Sequence, residues 1–466
     1  MLARGHCPWW RQAVGAGQFA EGSTLFCLLA LLLVEVHTSL VVLGGIALGL
    51  ITAAILAGMF GPMPAYEIGR REELPANDSE DFLCLLEALA DAKINRHGIF
   101  EVLPNGPNFY PAELEAIRQA TRSVNLEAYI FQKSKIGHMY LDAMTERARA
   151  GVKVNLVLDA FGSIGATRSF FRPLLEAGGR VTWYNSPAWY RLMKLDNRTH
   201  RELLIVDGRI GFIGGAGIGD HWYTGVRGHA VWRDTMVRVE GDSVSNLQAT
   251  FSENWLATSG ELLIGEAYFP KFQPAHPTET DRCTAALVIN STPTMGGSTH
   301  ARVLFQILLA SAQRSISITT PYFLPDKSLS RELCRAVERG VRVRVLVPGK
   351  KSDHWLTRST SRSGYGKLLQ AGAEIFEYQP AMIHAKVLVV DESWAVVGST
   401  NFDNRSFGLN DEVNLAAFDA DLAARLALDM DADLKQSCRI SLPQWEKRPV
   451  LQRAQEMVGW LFERQQ

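Results

Sequence analysis

The chain has 466 residues, enough to bury a large core and to form about two or three domains, which excludes a small peptide-like module. Hydrophobic residues make up 47% and charged residues 21%, as in an average folded protein, and the formal net charge is -1. No overall positive field indicates a nucleic-acid partner, so an anionic ligand would have to be attracted by a local group of charges.

The N-terminus contains the most strongly apolar part of the chain. Residues 38–60 read TSLVVLGGIALGLITAAILAGMF, carry no charge and are long enough for one transmembrane helix. Residues 24–34 are also apolar but short, and Glu35 and His37 separate the two stretches. A helical hairpin and a cleaved signal peptide are therefore alternatives. An uncleaved membrane anchor over residues 1–66 explains more of the sequence.

The charges around this anchor do not determine its orientation. Arg4 and Arg11 precede the apolar region while Arg70 and Arg71 follow it, so there is no clear positive-inside bias. The stretch after the anchor is polar and contains proline. We expect residues 67–104 to form a linker.

The remainder of the chain is one pattern of helices and strands that occurs twice. The first copy contains PAELEAIRQATRSV, LEAYIF and GVKVNLVLDAF, and the second contains ARVLFQILLASAQRSI, SITTPYF, LSRELCRAVERG and VRVRVLVPG. Helices that alternate with short apolar strands predict an α/β fold with buried, largely parallel sheets. We predict a first lobe over residues 105–265 and a second lobe over residues 266–440.

Both copies carry a related motif at matching places. Residues 199–207 read THRELLIVD and residues 383–391 read IHAKVLVVD, and each motif is followed by six residues and then a glycine. Such matched spacing is hard to obtain by chance. A tandem duplication that places one histidine in each half, His200 and His384, predicts a pseudo-twofold arrangement with both histidines at one central site.

The second motif combines two groups that suit phosphodiester chemistry. His384 and Lys386 are two residues apart on a predicted strand, so they project from the same face. Phosphodiester cleavage by double displacement needs a nucleophile, an acid for the leaving oxygen and positive charge around the phosphoryl oxygens. Two histidines and a lysine supply all three, so we expect no metal and no other cofactor.

The pattern HxKxxxxD followed by GSxN resembles the motif of the phospholipase D superfamily. It is formed here by His384, Lys386, Asp391, Gly398, Ser399 and Asn401. The flanking segments TPYFLPD, KSDHWLTRSTSRSGYGKLL, IFEYQP and GSTNFDNRSFGLNDEVNL are similar to bacterial cardiolipin synthases, and the likeness spans about residues 105–414. It implies two tandem α/β/α sandwich lobes with pseudo-twofold symmetry.

The same resemblance implies an activity and roles for single residues. The activity is transfer of a phosphatidyl group between two phosphatidylglycerol molecules, with release of glycerol. One histidine would form a phosphohistidine while the other protonates the leaving alcohol and deprotonates the acceptor, and His200 and His384 occupy these positions. Family members often use the first histidine as nucleophile, but this sequence does not decide between them. Glu412 and Asp234 match positions that orient the imidazoles.

Five residues complete this implied site. Lys386 and Asn401 would hold the phosphoryl oxygens, with Ser399 beside them. Asp207 and Asp391 complete the two catalytic motifs, although their place at the ends of the strands indicates a structural role.

The first motif departs from the family pattern at two positions. Glu202 replaces the lysine and Gly217 replaces the usual asparagine, so half of the expected phosphate clamp is missing. A carboxylate near a phosphodiester is unfavourable unless it is protonated or paired, and loss of one transition-state donor commonly lowers the rate about 100-fold to 1000-fold. We expect Arg198, Arg201 or Arg233 to pair with Glu202 or to replace the lost charge.

These departures leave other functions open. The alternatives are a phospholipase D hydrolase that releases phosphatidic acid and a catalytically impaired lipid-binding homologue. A nuclease is disfavoured because there is a membrane segment and no basic tract. The expected partners are membrane phospholipids, phosphatidylglycerol in particular, and the lipid bilayer, while nucleic acid is not expected. The resemblance places the chain in the bacterial inner membrane and favours the cytoplasmic face for the catalytic body, while the oligomeric state is open.

Three smaller features complete the sequence. The six cysteines are scattered, with no Cys/His cluster at metal-ligand spacing, so we expect free thiols and no structural zinc. Aromatic residues around the first motif, including Trp222 and Trp232, would line an acyl-chain entrance, lie at the bilayer interface or pack in the core. Residues 441–466 are predicted to form an amphipathic helix.

Overall fold

The computed structural model describes residues 15–60, 66–186, 197–226, 228–271, 285–293, 299–449, 452–453 and 456. The chain divides into two compact units, Met1–Pro64 and Ala65–Gln466.

The smaller unit is built on one continuous helix, α1, which spans Gly15–Phe60. Its segment Leu31–Ala53 has 23 residues, a mean hydropathy of 2.0 and no buried part. Such a length and composition suit a bilayer span. The prediction of a single apolar helix, rather than a hairpin, is confirmed. The span begins at Leu31 rather than at residue 38, because Glu35 and His37 do not interrupt the helix.

The larger unit contains the remaining helices and all the strands. Its helices are a short 3-10 helix at Arg71–Glu73 and α2 Glu80–Ala90, α3 Gly106–Gln119, α4 Lys135–Arg149, α5 Arg172–Glu176, α6 Ser243–Ser259, α7 His300–Ser311, α8 Lys327–Glu338, α9 Trp355–Ser363, α10 Tyr365–Ala371, α11 Asn404–Gly408, α12 Ala420–Leu434 and α13 Leu442–Glu446. Its strands are β1 Gly98–Pro104, β2 Ser123–Ala128, β3 Lys153–Asp159, β4 Arg180–Tyr184, β5 Arg198–Thr199, β6 Leu203–Val206, β7 Ile210–Gly214, β8 Thr235–Gly241, β9 Ala285–Ser291, β10 Ser315–Thr319, β11 Arg342–Pro348, β12 Glu374–Tyr378, β13 Val387–Val390, β14 Trp394–Gly398, β15 Asn410–Phe418 and β16 Ser437–Ile440.

Two sheets make up the strands of the larger unit. The first has the order β1-β8-β7-β6-β2-β3-β4, and the second has the order β16-β12-β11-β10-β13-β14-β15-β5, with β9 paired to β15. Strands β2, β3 and β4 run parallel, as do β10, β11 and β12. The motif strands are antiparallel. The expectation of largely parallel sheets was therefore only partly right, because short turns join β6 to β7 and β13 to β14.

The sheets face each other across a shared apolar core. Ile205 and Ile213 of the first sheet meet Val397 and Val413 of the second, together with Phe251 of α6. Helices α3, α4 and α5 cover the outer face of the first sheet, and α7, α8 and α10 cover that of the second. Each sheet thus has helices on its outer face and the shared core on its inner face, and the ends of the motif strands are brought to the lobe boundary.

The predicted linker is largely part of this folded body. In α2, Phe82 and Leu86 are fully buried in the core of the second lobe. The strand β1 pairs with β8 along its whole length in the first sheet. The linker prediction was therefore wrong for residues 80–104, because the apolar face of α2 and the edge of the first sheet are both used in packing.

The cysteines and the C-terminal segment are the last features of the fold. Cys84, Cys334 and Cys438 are free thiols, as expected for these three. Within the predicted C-terminal helix, the described residues include the short helix α13, while most of positions 450–466 lie outside the described residues. A long amphipathic helix there stays a prediction.

Candidate active site

Each motif histidine lies just before a buried strand at the boundary between the lobes. His200 precedes β6 and His384 precedes β13, in each case by three residues. A strand of two residues, β5, carries the chain into His200 and pairs with β15 of the other lobe. In the same way, Arg233 of the first lobe bridges to Ile383 of the second. Both histidines are thus attached to the opposite lobe.

A carboxylate of the second lobe orients His200. Its Nδ1 lies 3.0 Å from both Oε1 and Oε2 of Glu412, which is fully buried on β15. The backbone N–H of His200 donates to the carbonyl of Asp411 at 2.9 Å. The hydroxyl of Ser399 and the amide of Asn410 also donate to Glu412. Since the carboxylate accepts the Nδ1 proton, the lone pair of His200 is on Nε2.

A carboxylate of the first lobe orients His384 in the same manner. Its Nδ1 lies 3.0 Å from Oδ2 of Asp234, and its backbone N–H donates to the carbonyl of Arg233 at 2.7 Å. Asp234 is fully buried and also accepts from Trp222 Nε1 at 2.9 Å and from Thr235 N at 2.8 Å. Each histidine ring is therefore held by a carboxylate of the other lobe. Its backbone N–H donates to the carbonyl of the residue just before that acidic residue.

Lys386 supplies a buried cation between these pairs. Its Nζ lies 2.8 Å from His384 Nδ1 and donates to the carbonyls of His384 at 2.9 Å and Gly215 at 3.2 Å. Gly215 makes room for it, because a Cβ there would lie 2.8 Å from Lys386 Cδ. Lys386 interacts electrostatically with Asp234, Glu202 and Glu412, which places the cation among the acidic residues of both lobes.

Burial and neighbouring charges shift the pKa values around His384. Burial and the adjacent Lys386 ammonium lower the pKa of His384, and Asp234 only partly offsets them. Burial lowers the pKa of Lys386 despite the nearby carboxylates. Burial raises the pKa of Asp234, but His384 and Lys386 outweigh it and keep the pKa below its usual value. His384 is therefore neutral and Asp234 is ionised at neutral pH.

Asn401 offers an unused polar atom at this site. It is buried, its backbone N–H donates to Ser406 Oγ at 3.1 Å, and its side-chain Oδ1 has no partner among the described residues. A buried polar atom without a partner is uncommon and suits a ligand contact. Ser399, in contrast, is engaged with Glu412, so it positions that carboxylate.

The two motif aspartates lie elsewhere. Asp207 accepts from the backbone N–H groups of residues 121, 122 and 123, and Asp391 accepts from those of residues 313, 314 and 315. Both have a left-handed φ, 54° and 53°. Burial raises the pKa of Asp207, but these backbone donors outweigh it and the pKa is lowered. Each aspartate thus clamps the start of a neighbouring strand, and the structure does not bring it to the histidines.

Glu202 does lie near the site, where the backbone of the first lobe holds it. Its Oε1 accepts from the backbone N–H groups of Tyr129 at 3.2 Å and Ile130 at 3.5 Å. Arg201 donates instead to Thr250 and Glu253, Arg233 donates to Asp433, and the guanidinium of Arg198 lies over the ring of Phe161. Among the described contacts, neither Arg201 nor Arg233 pairs with Glu202, so the expectation was wrong for these two. Both are occupied by other acceptors, including Asn290 and Asp433 of the second lobe.

Several aromatic side chains complete the surroundings of the histidines. The rings of Trp222 and Trp232 lie 5.4 and 5.6 Å from that of His384, and the ring of Tyr129 lies 5.2 Å from that of His200. Trp222 is fully buried, so among the sequence alternatives its role is packing, together with a hydrogen bond to Asp234. The sequence showed that aromatic residues cluster here, but gave no sign of that hydrogen bond.

The site can be assessed for metal binding and for anion binding. Within the described part of the chain, no group of three or more His, Cys, Asp and Glu side chains is arranged to hold a metal ion. The arrangement can bind an anion beside Lys386 and offers two Nε2 atoms, one for attack and one for proton transfer.

Comparisons with known proteins show the family of this chain. A family model described as the phospholipase D-like domain of cardiolipin synthase matches residues 114–255 and 306–434. A probable cardiolipin synthase of Bacillus subtilis (strain 168) is 34% identical over 399 residues, which is 84% of this chain and 78% of that protein. Cardiolipin synthase 1 of Bacillus anthracis is 33% identical over 365 residues, 76% of this chain and 70% of that one.

A solved structure shares the fold at lower identity. The phosphatidylserine synthase of Haemophilus influenzae Rd KW20 superimposes with a TM-score of 0.62, covers 80% of this chain and 98% of its own, and is 14% identical. At that identity the likeness shows a common fold and nothing further.

Proposed function

Since this chain belongs to the cardiolipin synthase family with phospholipase D-like domains and is a phosphatidyltransferase, we propose that it joins two phosphatidylglycerol molecules into cardiolipin with release of glycerol. The observation that carries the proposal is the pair of crossed contacts, His200 with Glu412 and His384 with Asp234, beside the buried ammonium of Lys386. Together they provide a nucleophile, an acid and a cation for one phosphodiester.

The first half of the reaction would form a phosphohistidine. Nε2 of one histidine attacks phosphorus, and the bond from phosphorus to the glycerol oxygen breaks. Nε2–H of the other histidine, then in its imidazolium form, gives its proton to that oxygen, so glycerol leaves as a neutral alcohol. Glu412 and Asp234 stabilise the imidazolium forms, because each accepts from a histidine Nδ1.

The second half would return the enzyme to its starting state. The histidine that gave up its proton removes a proton from a hydroxyl of a second phosphatidylglycerol. The resulting oxygen attacks phosphorus, and the bond from phosphorus to Nε2 breaks. Water in place of this hydroxyl would give phosphatidic acid, so the choice between transfer and hydrolysis depends on which acceptor the site holds.

The phosphoryl oxygens would be held by Lys386 and Asn401. Lys386 is in place beside His384, and the Nδ2 group of Asn401 would donate to a phosphoryl oxygen, while its unpartnered Oδ1 would accept from a donor of the substrate. The apolar helix Leu31–Ala53 would keep the chain on a bacterial inner membrane, where both lipid substrates are found. A cytoplasmic catalytic body remains a prediction from the family resemblance.

The test is product analysis with the full-length chain in vesicles of phosphatidylglycerol. We expect equal amounts of cardiolipin and glycerol by mass spectrometry, and loss of both with His200→Asn or His384→Asn. His138→Gln is the matched control, since His138 is exposed and, among the described residues, its ring nitrogen bonds to the carbonyl of Ser134, the N-cap of α4. Phosphatidic acid as the main product would favour the hydrolase, and no product would favour the impaired lipid-binding homologue.

A trapping experiment assigns the nucleophile. Phosphatidylglycerol labelled with radioactive phosphorus is mixed with the protein, the reaction is stopped in alkali, and label bound to protein is measured. The variant that lacks the nucleophilic histidine should take up no label, while the variant that lacks the acid should still become labelled slowly. Product formation by the native chain without any bound label would refute the phosphohistidine intermediate.

A further inference from the structure

The motif aspartates align the two halves residue by residue. Asp207 accepts from N of Ser123 and Asp391 accepts from N of Ser315, so Ser123 and Ser315 are equivalent. Counting from these two residues makes Tyr129 equivalent to Pro321 and Ile130 equivalent to Tyr322. The parallel bridges from Phe131 to Ile218 and from Phe323 to Phe402 agree with this alignment.

With this alignment, Glu202 and Lys386 are equivalent in position but differ in their hydrogen bonds to the backbone. Glu202 accepts from N–H groups, whereas Lys386 donates to carbonyls. In the first half Tyr129 and Ile130 both present N–H groups, and Glu202 Oε1 accepts from both. In the second half Pro321 stands where Tyr129 stands in the first, and proline has no N–H to offer. A lysine ammonium can only donate. The acceptor Glu202 therefore fits the pair of N–H groups in the first half, a pair that the second half lacks.

The glycine at position 217 belongs to the same arrangement. A Cβ at Gly217 would lie 2.8 Å from the carbonyl O of Ile130 and 3.2 Å from Glu202 Oε1. The chain is drawn this close because Ile218 N donates to Ile130 O at 2.8 Å. In the second half Phe402 N donates to the hydroxyl of Thr320 instead, and Asn401 is accommodated. The replacements at positions 202 and 217 are thus coupled, because the glycine leaves room beside the Glu202 carboxyl group.

The protonation state of Glu202 follows from its surroundings. Burial raises the pKa of Glu202 well above its usual value, although Lys386 and the two backbone donors oppose this shift and Asp234 reinforces it. Tyr110 and Tyr129 are the other titratable groups that it influences. Because Oε1 receives both N–H groups and Oε2 makes no hydrogen bond to the described residues, the proton belongs on Oε2.

We propose that Glu202 is a catalytic residue that acts as a neutral carboxylic acid and donates an Oε2–H hydrogen bond to a phosphoryl oxygen of the substrate. It stands at the place that Lys386 occupies in the other half, within electrostatic reach of Lys386 and Asp234. A neutral donor completes the phosphate clamp without a second ammonium beside Lys386. The inference rests on the proposed function, since it deepens the same site.

Kinetics of three substitutions test the donor. Glu202→Ala should lower the rate of lipid transfer about 100-fold or more. Glu202→Gln should recover about tenfold or more of that loss, because its amide oxygen accepts from Tyr129 and Ile130 while its NH2 group donates in place of Oε2–H. Glu202→Lys should show no such recovery, since lysine cannot accept those N–H groups. Recovery by lysine without recovery by glutamine would overturn the proposal.

Infrared difference spectroscopy of the full-length chain supplies a readout besides turnover. We expect a carbonyl band of a protonated carboxyl group that shifts when inorganic phosphate is added and that is missing from Glu202→Gln. Glu113→Gln is the matched control, since burial raises the pKa of Glu113 to about 8 and its carboxyl group contacts Tyr140. The Glu113 band should not respond to phosphate.

The outcomes separate this inference from the proposed function. Absence of a Glu202 band, or a Glu202 band that phosphate leaves in place, overturns the inference even if the native chain makes cardiolipin. A phosphate-sensitive Glu202 band in a native chain that makes no cardiolipin overturns the proposed function and supports the donor role.

Discussion

Replacement of Asp234 by asparagine tests whether the crossed carboxylate is needed. The carboxylate accepts three hydrogen bonds: from His384 Nδ1 at 3.0 Å, Trp222 Nε1 at 2.9 Å and Thr235 N at 2.8 Å. Asparagine keeps the shape but has one acceptor oxygen, so its NH2 group must face at least one of these donors. The substitution also removes the negative charge that faces Lys386.

The size of the effect can be worked out from these contacts. One buried donor left unpaired costs about 1–3 kcal/mol of folding free energy. The pKa of Asp234 is lowered in the folded chain, so its contribution to stability is present above its unfolded pKa of about 3.9 and is lost as the pH falls. The stability cost of Asp234→Asn should therefore be larger at pH 7 than at pH 4.

The kinetic effect should exceed the effect on stability. An amide behind a catalytic histidine favours the wrong tautomer, which lowers the rate by about 10⁴ in serine proteases. We expect a fall of about 10² to 10⁴, equal to about 3–5 kcal/mol of activation free energy. Because Asp234 raises the pKa of His384, its loss lowers that pKa further, and any acidic limb set by His384 moves to lower pH.

The assay is cardiolipin formation from phosphatidylglycerol vesicles between pH 5 and pH 9, with thermal unfolding of the same samples. Glu412→Gln is the matched variant at His200. A rate for Asp234→Asn within about threefold of the native rate, in a protein that still folds, would refute the view that His384 works through its Nδ1–H.

Three further substitutions probe the fold. Glu113→Gln should make the free energy of unfolding less dependent on pH. The pKa of the Glu113 carboxyl group is raised to about 8, so the native chain loses stability as the pH rises from about 4.3 to 8 and the variant does not. Denaturation at several pH values measures this difference. Gly217→Ala should cost about 1–3 kcal/mol in urea unfolding, since its Cβ would lie 2.8 Å from Ile130 O; a neutral result would contradict the close approach. Arg201→Leu should cost about 3–5 kcal/mol because it leaves the buried acidic residues Glu127 and Asp411 without the cation beside them, and an unchanged melting temperature would contradict this.

Local patterns allowed much of the fold to be predicted. The duplication, the apolar N-terminal helix and the place of each histidine before a strand all follow from periodicity and spacing within short segments. The partner of His384 could not be predicted from local patterns, because Asp234 lies 150 positions away and only the resemblance to relatives indicated it. The linker assignment failed because it rested on the polar, proline-containing composition of the stretch, whereas the apolar face of α2 is buried in the second lobe.

Two parts of the site could not be predicted from residue types. Gly215 matters because it lacks a side chain that would collide with Lys386, and a glycine in a sequence does not reveal what approaches it. From the sequence, Glu202 was interpreted as the loss of a phosphate-binding residue, because a carboxylate near a phosphodiester is unfavourable. Its fit to the N–H groups of Tyr129 and Ile130 becomes visible only when the ends of two strands are placed together.

The exchange of carboxylates between the lobes predicts that the two halves are active only together. A chain cut between them would yield one fragment with His200 but without Glu412, and another with His384 but without Asp234. Neither fragment could orient its own imidazole, however well it folded. Turnover could return only after the fragments had reassembled, so the reaction itself reports whether the lobes are docked.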